Sequence, residues 1–203
     1  MTISQFVVGQ VQTNCYVAAN KDTGEALVID PGASGEALCE RMKKDGLKPV
    51  AILVTHAHFD HIGAIPALQA TYPDLPVYVH DNDLKVINHP LNQLPPEYPA
   101  IGQPKNLAST ESLAKLEGLE VLETPGHTPG GVCYYFKNEK MLFAGDTLFA
   151  GSVGRTDLPG GDMATLMASL KKLTALPDDT VVIPGHGMFT TIGDEKRGNP
   201  FLQ

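Results

Sequence analysis

Within six residues, His56-Ala57-His58-Phe59-Asp60-His61, the chain presents three imidazoles and a carboxylate. Histidine nitrogen and aspartate oxygen are the usual donors to first-row divalent cations, so this is the composition of a metal site. Further donors recur singly in a shared context. His127 lies in Thr124-Pro125-Gly126-His127-Thr128-Pro129-Gly130, and Asp146 in Ala144-Gly145-Asp146-Thr147. His186 lies in Ile183-Pro184-Gly185-His186-Gly187, and Asp30 in Val28-Ile29-Asp30-Pro31-Gly32. Each follows an apolar run that reads as a strand, with Gly or Pro beside it. Such strand ends let a rigid sheet project side chains into one cleft, and glycine lets backbone approach without a Cβ clash. Crowding polar side chains between buried elements is costly unless something satisfies them. A metal would.

The elements that must carry these residues are legible from pattern. Strands are predicted over Gln5–Val11, Cys15–Ala19 and Ala26–Asp30, with a turn at Lys21–Gly24. Ser34 is read as the cap of a helix over Gly35–Gly46, which Gly46 stops. Strand Val50–Thr55 then leads into the histidine cluster, a helix continues to about Tyr72, and Val77–His80 is a short strand. Pro90, Pro95, Pro96, Pro99 and Pro104 interrupt residues 81–117, an expected irregular excursion with two short helices. Segments of that length commonly cover a functional site, and this one is expected to close over the cleft, with the metal independent of it. Strands resume at Leu119–Thr124, Gly131–Phe136, Met141–Gly145 and Val181–Pro184, with a helix over Met163–Leu173. The pattern predicts an α/β (α+β) chain, one domain over 1–203, with two mixed β-sheets flanked by helices in a four-layer αββα sandwich.

Composition narrows the function. Hydrophobic residues make up 42% and charged residues 19%, within the globular range. The net charge of −8, with no Lys/Arg run, argues against nucleic acid or an anionic membrane as partner. Met1–Phe6 shows no secretory leader pattern, and no apolar run approaches the roughly 18–20 residues of a membrane span. Cys15, Cys39 and Cys133 are odd in number and lack CxxC spacing, which predicts a reducing, cytoplasmic setting.

The segments HAHFDH, PGHTPGG, AGDTLF and IPGHG, with VIDPG before them, resemble the five-motif signature of the metallo-β-lactamase fold superfamily. Within it the chain most resembles the glyoxalase II (hydroxyacylglutathione hydrolase) branch. Residues Gly151-Ser152-Val153-Gly154-Arg155-Thr156-Asp157 and Glu195-Lys196-Arg197-Gly198-Asn199-Pro200-Phe201 bring it nearest the short bacterial form, which lacks the C-terminal helical domain. The resemblance implies two divalent metal ions, zinc favoured and iron or manganese compatible. His56, His58 and His127 would hold one, Asp60, His61 and His186 the other, and Asp146 would bridge them. Asp30 would orient a ligand imidazole from behind. The implied reaction is hydrolysis of a small thioester, an S-2-hydroxyacylglutathione, by a hydroxide bridging the metals, with Asp60 and Asp146 as the catalytic carboxylates.

Rival readings exist on the same motifs. A mononuclear iron persulfide dioxygenase retains the HxHxDH pattern, and a non-glutathione ester or lactone hydrolase is a further alternative. A flavodiiron module would carry Glu where His58 stands. A secreted β-lactamase is disfavoured by the absent leader and by Asp146 in place of a thiolate, and an RNA nuclease by the negative charge. A binding module without catalysis is disfavoured because no ligand position is degraded. Arg155 is read either as a substrate-carboxylate anchor or as the partner of Asp157, which stands where the family usually has tyrosine. Lys196 and Arg197 are either a remnant of the glutathione site or surface charges. His80 and His89 are read as structural or surface residues, Cys133 as a small buried hydrophobe, and Cys15 as unreactive.

Overall fold

The computed structural model describes residues 1–92, 104–115 and 118–203. One sheet takes β1 (Thr2–Val8), β2 (Thr13–Ala19), β3 (Glu25–Ile29), β4 (Lys48–Leu53), β5 (Val77–Val79) and β6 (Leu107–Ser109) in that order. Its first three strands are antiparallel neighbours, and β3 to β6 run parallel. The other sheet contains β7 (Leu119–Glu123), β8 (Val132–Phe136), β9 (Met141–Gly145), β12 (Val181–Pro184) and β13 (Thr190–Thr191), ordered β13-β12-β9-β8-β7. Only its β9–β12 pairing is parallel. A two-stranded hairpin, β10 (Leu148–Phe149) with β11 (Ser152–Val153), stands apart. The helices are α1 (Gly35–Lys44), α2 (Phe59–Ile62), α3 (Ile65–Thr71), α4 (Leu84–Ile87), α5 (Met163–Leu173) and α6 (Ile192–Gly198).

Alternation along the strands explains the layering. Side chains of successive strand residues face opposite ways. Cys15 and Val17 of β2 share an apolar cluster with Leu38 and Met42 of α1 and Leu68 of α3. Tyr16 and Ala18, between them in sequence, join Tyr134, Phe136 and Phe143 of the other sheet. Cys133 and Tyr135 of β8 turn the other way, toward Leu166, Leu170 and Leu173 of α5. Three apolar seams therefore separate helix, sheet, sheet and helix, which is the predicted four-layer αββα sandwich. Two buried tyrosines stitch the central seam. Tyr16 donates across it to the Pro184 carbonyl at 2.7 Å, and Tyr134 donates the opposite way to the Val54 carbonyl at 2.8 Å. Both acceptors lie at strand ends, where a buried carbonyl would otherwise lack a partner.

Several predicted boundaries are corrected. The first strand is β1, ending at Val8, not Gln5–Val11. Gly9 and Gln12 take φ of 70° and 59° and reverse the chain there, leaving Val11 exposed. Ser34 does not cap α1 with its side chain; it lies in the left-handed region without a cap hydrogen bond. The helix expected to run to Tyr72 is broken into α2 and α3 around Gly63 and Ala64. Residues 81–117 are less irregular than predicted: α4 sits there, and β6 extends the first sheet alongside β5. Pro95, Pro96 and Pro99 fall outside the described residues. Among the described residues, no helix is long and apolar enough to cross a membrane.

Candidate metal centre

Strand direction brings the candidate ligands together. β3 and β4 run parallel, so Asp30 and the His56–His61 segment leave the first sheet at one edge. In the second sheet, β7 is antiparallel to β8 and β8 to β9, while β9 and β12 are parallel. Strands β7, β9 and β12 therefore point one way and deliver His127, Asp146 and His186 at one edge. The edges abut: the Val132 N–H donates to the Thr55 carbonyl at 2.8 Å, and the Asn14 N–H to the Gly185 carbonyl at 2.7 Å. Gly185 is required there, because a Cβ on it would lie 2.2 Å from Asp146 Oδ1 and 2.7 Å from His61 Cε1.

Among the described residues three donor groups result: His56, His58 and His127; His56, His61 and Asp146; and Asp60, His61 and His186. Within each, one potential ligand atom per residue lies within 4.8 Å of the others. The surrounding hydrogen bonds select which atoms face inward. His127 Nδ1 is 2.7 Å from the Arg155 carbonyl, which can only accept, so the ring carries its proton there. His61 Nδ1 is 3.0 Å from Asp30 Oδ2 and likewise donates. The Thr55 hydroxyl donates to Asp30 at 2.6 Å, leaving its lone pair to accept from His56 Nδ1 at 3.1 Å. All three rings thus turn Nε2 to the centre, as the free lone pair in neutral His56 and as the nitrogen that would lose its proton to a cation in His61. Asp30, picked out in the sequence as an orienting carboxylate, occupies the position for that role.

Whether the residues suit a cation can be judged from polar atoms left over. His56 Nε2, His61 Nε2 and Asp146 Oδ1 are buried without a hydrogen-bond partner among the described residues. A buried orphan polar group costs roughly 1–3 kcal/mol, and these three converge at one point. Cations bound among these donors would satisfy all three, so the donor set fits divalent metal.

Electrostatics divide the site. Burial, followed by the neighbouring imidazoles, keeps His56 well below the ordinary histidine range; burial and then His127 bring His58 down to about 3. These rings are neutral ligands at physiological pH. For His61, burial opposes charge, but Asp60, Asp146 and Asp30 outweigh it and hold the ring well above its usual value. His186 is raised in the same way: burial opposes, and Asp60 and Asp146 prevail. Burial would raise Asp60, but His61 and His186 pull its carboxyl far below the usual range. Asp60 Oδ2 also accepts from the Thr13 hydroxyl at 2.7 Å and lies 3.2 Å from His186 Nε2.

The donors open onto a cleft of about 700 Å³, walled by Val11, Phe59, Val86, Leu158 and Pro159 and bordered by Lys85 and Arg155. The Arg155 guanidinium is engaged by Asp157 through bonds of 2.6 and 2.7 Å, and this holds Asp157 down at about 2. Lys196 and Arg197 likewise pair with Asp178 and Asp194. His80 accepts from the Asn82 N–H, and His89 lies on the cleft wall. Sequence reasoning passed over Thr13, which bonds the donor Asp60, and Asp83 and Asn92, which bond the backbone of Ala57 and Phe59 between the donors. No motif marks them, and only the fold brings them near. Through Asp83 and Asn92, the 81–117 segment bonds to the backbone of the His56–His61 loop.

Fold and donor set define a metal-binding αββα protein. The chain belongs to the Metallo-beta-lactamase superfamily, whose profile matches residues 8–186; its members are mostly metal-dependent hydrolases. It is 40% identical to a probable metallo-hydrolase of Bacillus subtilis, YqgX, over 96% of this chain and 94% of that one. It is 37% identical to the hydroxyacylglutathione hydrolase GloC of Haemophilus influenzae, over 100% and 98%. Among solved structures, TTHA1623 in a di-iron-bound form is similar at TM-score 0.88 and 43% identity, over 98% of this chain and 100% of that one. The BLEG-1 B3 metallo-beta-lactamase is similar at TM-score 0.87 and 42% identity, over 100% of both.

Proposed function

We propose that the protein is a binuclear metal-dependent hydrolase of a small thioester, of the S-2-hydroxyacylglutathione class. The observation that carries this reading is the convergence of His56, His58, Asp60, His61, His127, Asp146 and His186, with orphaned donors, at the head of the cleft. His56, His58 and His127 would hold one ion, and Asp60, His61 and His186 the other. Asp146 would be shared, since its oxygens lie 3.5 Å from His61 Nε2 and His186 Nε2 and 3.7 Å from His127 Nε2. Two divalent cations there would acidify water near neutral pH and polarise a carbonyl. Zinc suits the donor types, and the di-iron relative gives iron equal standing.

The chain's own residues supply the rest. Asp60 is held as a carboxylate and can accept a hydrogen bond from the attacking water, while Thr13 fixes one of its oxygens. Thiols have a pKa near 8.5, so a thiolate departs without a dedicated acid. A cleft of about 700 Å³ is within the range that takes a tripeptide conjugate. The glutathione class is supported by the full-length likeness to GloC, and a cytoplasmic location by three free, buried cysteines.

The test is metal analysis of purified protein together with turnover of S-D-lactoylglutathione, a chromogenic β-lactam and glutathione persulfide. Two metals with thioester cleavage as the fastest reaction is the expected result. Faster β-lactam cleavage, as the likeness to BLEG-1 would favour, discards the substrate. One iron with oxygen uptake on the persulfide discards the reaction.

A further inference from the structure

Asp83 is fully buried at the end of the 3-10 turn Asp81–Asp83 that follows β5, and no motif marks it. Its Oδ2 accepts from the Ala57 N–H at 2.8 Å and from the Thr128 hydroxyl at 2.9 Å, and its Oδ1 accepts from the Gly130 N–H at 2.5 Å. Ala57 is the residue between His56 and His58, and Thr128 follows His127. One side chain therefore fastens together the two loops that carry these three imidazoles. The contact is tight: a Cβ on Gly130 would lie 2.8 Å from Asp83 Oδ1 and 2.7 Å from its backbone nitrogen. Asn92 completes the hold, accepting from the Phe59 N–H at 2.9 Å and donating to the Ala57 carbonyl at 2.8 Å.

The residue type matters. Asp83 receives three donors, and no Lys, Arg or His lies within ion-pair distance of it among the described residues. A buried carboxylate without a cation is costly compared with a neutral side chain. What it offers in return is two oxygens that only accept, whereas an amide would turn an N–H toward one of the donors. Its bonds are also one-sided. Asp30 reaches His61 directly and His56 through Thr55, whereas none of Asp83's hydrogen bonds involves Asp60, His61 or His186.

We propose that Asp83 is a positioning residue for the His56, His58 and His127 half of the centre, setting those imidazoles by tying the Ala57 backbone between the first two to the Thr128–Gly130 loop that follows the third. This rests on the metal-binding part of the reading above and not on its substrate. The test loads the full-length protein with cobalt(II) and withdraws the metal with a chelator, following visible absorption. In Asp83→Asn, one of the two release steps is expected at roughly 10–100-fold weaker affinity, with the other unchanged. His58→Ala should lose that same step, and adding Asp83→Asn to it should not alter the step that remains. Equal weakening of both steps, or unchanged affinities with only a lowered Tm, overturns the proposal. Thr128→Val removes a single donor and should weaken the same step by a smaller factor; it decides the matter if Asp83→Asn does not fold. A wild-type protein that takes up one equivalent refutes the binuclear reading. The clamp then stands or falls on whether the equivalent lost in His58→Ala weakens in Asp83→Asn. Absent thioester turnover leaves this result untouched.

Discussion

Asp30→Asn exchanges one oxygen for an amide nitrogen and should switch two ligand imidazoles into the wrong tautomer. Asp30 has φ of 51°, a region asparagine tolerates, so the backbone has no reason to move. Its Oδ1 accepts from the Thr55 N–H at 2.8 Å, and the remaining oxygen of the variant must stay there. The new NH2 then replaces Oδ2, which lies 2.6 Å from the Thr55 hydroxyl and 3.0 Å from His61 Nδ1. Facing a donor, His61 must accept at Nδ1 and carry its proton on Nε2. The Thr55 hydroxyl, now an acceptor from the amide, turns its proton toward His56 Nδ1 at 3.1 Å, which drives that ring's proton to Nε2 as well. Both inward nitrogens lose their free lone pair. Removing an orienting partner of a ligand histidine costs about 10–100-fold in metal affinity, or about 1.4–2.7 kcal/mol. The loss should fall toward the upper end because two rings change. Rotating the amide instead would set its NH2 against the Thr55 N–H, at about 1–3 kcal/mol in fold stability. Chelator competition measures the affinity, and nitrogen-15 NMR of the metal-free form reads the tautomers, at neutral pH for His56 and above its raised folded pKa for His61. Wild-type affinity with both rings still protonated at Nδ1 would refute the relay.

Other outcomes follow from the same groups. Because Asp60, Asp146 and Asp30 keep His61 protonated against the effect of burial, metal uptake near neutral pH should release protons. Calorimetry in buffers of different ionisation enthalpy reads this, and a heat independent of buffer contradicts it. In the metal-free protein, the raised His61 and His186 stabilise the fold fully below about pH 6.5, and this contribution is lost as pH rises through their folded values. His58 acts oppositely: held at about 3, it weakens the fold as pH falls from about 6.5 toward that value. Tm against pH in the wild type and in His58→Ala separates the two signs. All three cysteines are buried, and burial pushes Cys133 up to about 11. A thiol reagent at pH 8 should therefore find none in the native protein and three after denaturation; one fast-reacting native thiol would be inconsistent with these positions. Arg155→Gln breaks only an exposed pair and leaves the Arg155 carbonyl on His127. Metal content should be unchanged, and a rise in KM at constant kcat would assign the guanidinium to the substrate. An unchanged KM leaves it as the partner of Asp157 alone.

The donor residues were legible because metal chemistry admits few residue types, and because they either cluster in His56–His61 or, like His127, Asp146 and His186, sit singly beside Gly after an apolar run. The αββα layering was legible for a related reason: in β2 and β8, neighbouring apolar residues serve different seams, so both faces had to be covered. The residues behind the donors were not legible. Asp83 is one acidic residue in the run Asp81-Asn82-Asp83, and nothing in that run shows which carboxylate is buried. The same blindness hid Thr13, whose neighbours in sequence read as an ordinary strand, although its hydroxyl reaches Asp60 at 2.7 Å. Boundaries failed where backbone angles rather than side chains decide. Gln12 and Ser34 adopt left-handed conformations that composition gave no cause to expect.

What assembles the centre is strand direction more than strand order. The donors and the orienting Asp30 come from five places along the chain, Asp30, His56–His61, His127, Asp146 and His186, and the last three follow strands separated by antiparallel β8 and by α5. Two antiparallel steps from β7 to β9 restore the starting direction, and the α5 crossover returns β12 parallel to β9. Had either connection been a simple hairpin to the neighbouring strand, one donor would leave at the far edge, a full strand length from the rest. The same constraint explains why α5 follows Asp146: a parallel return needs a crossover, and a helix is the compact way to build one. The helix then covers Cys133, Tyr135, Leu142 and Val182 on the outer face of the sheet. The connection that delivers His186 to the site therefore also supplies the outer layer of the fold.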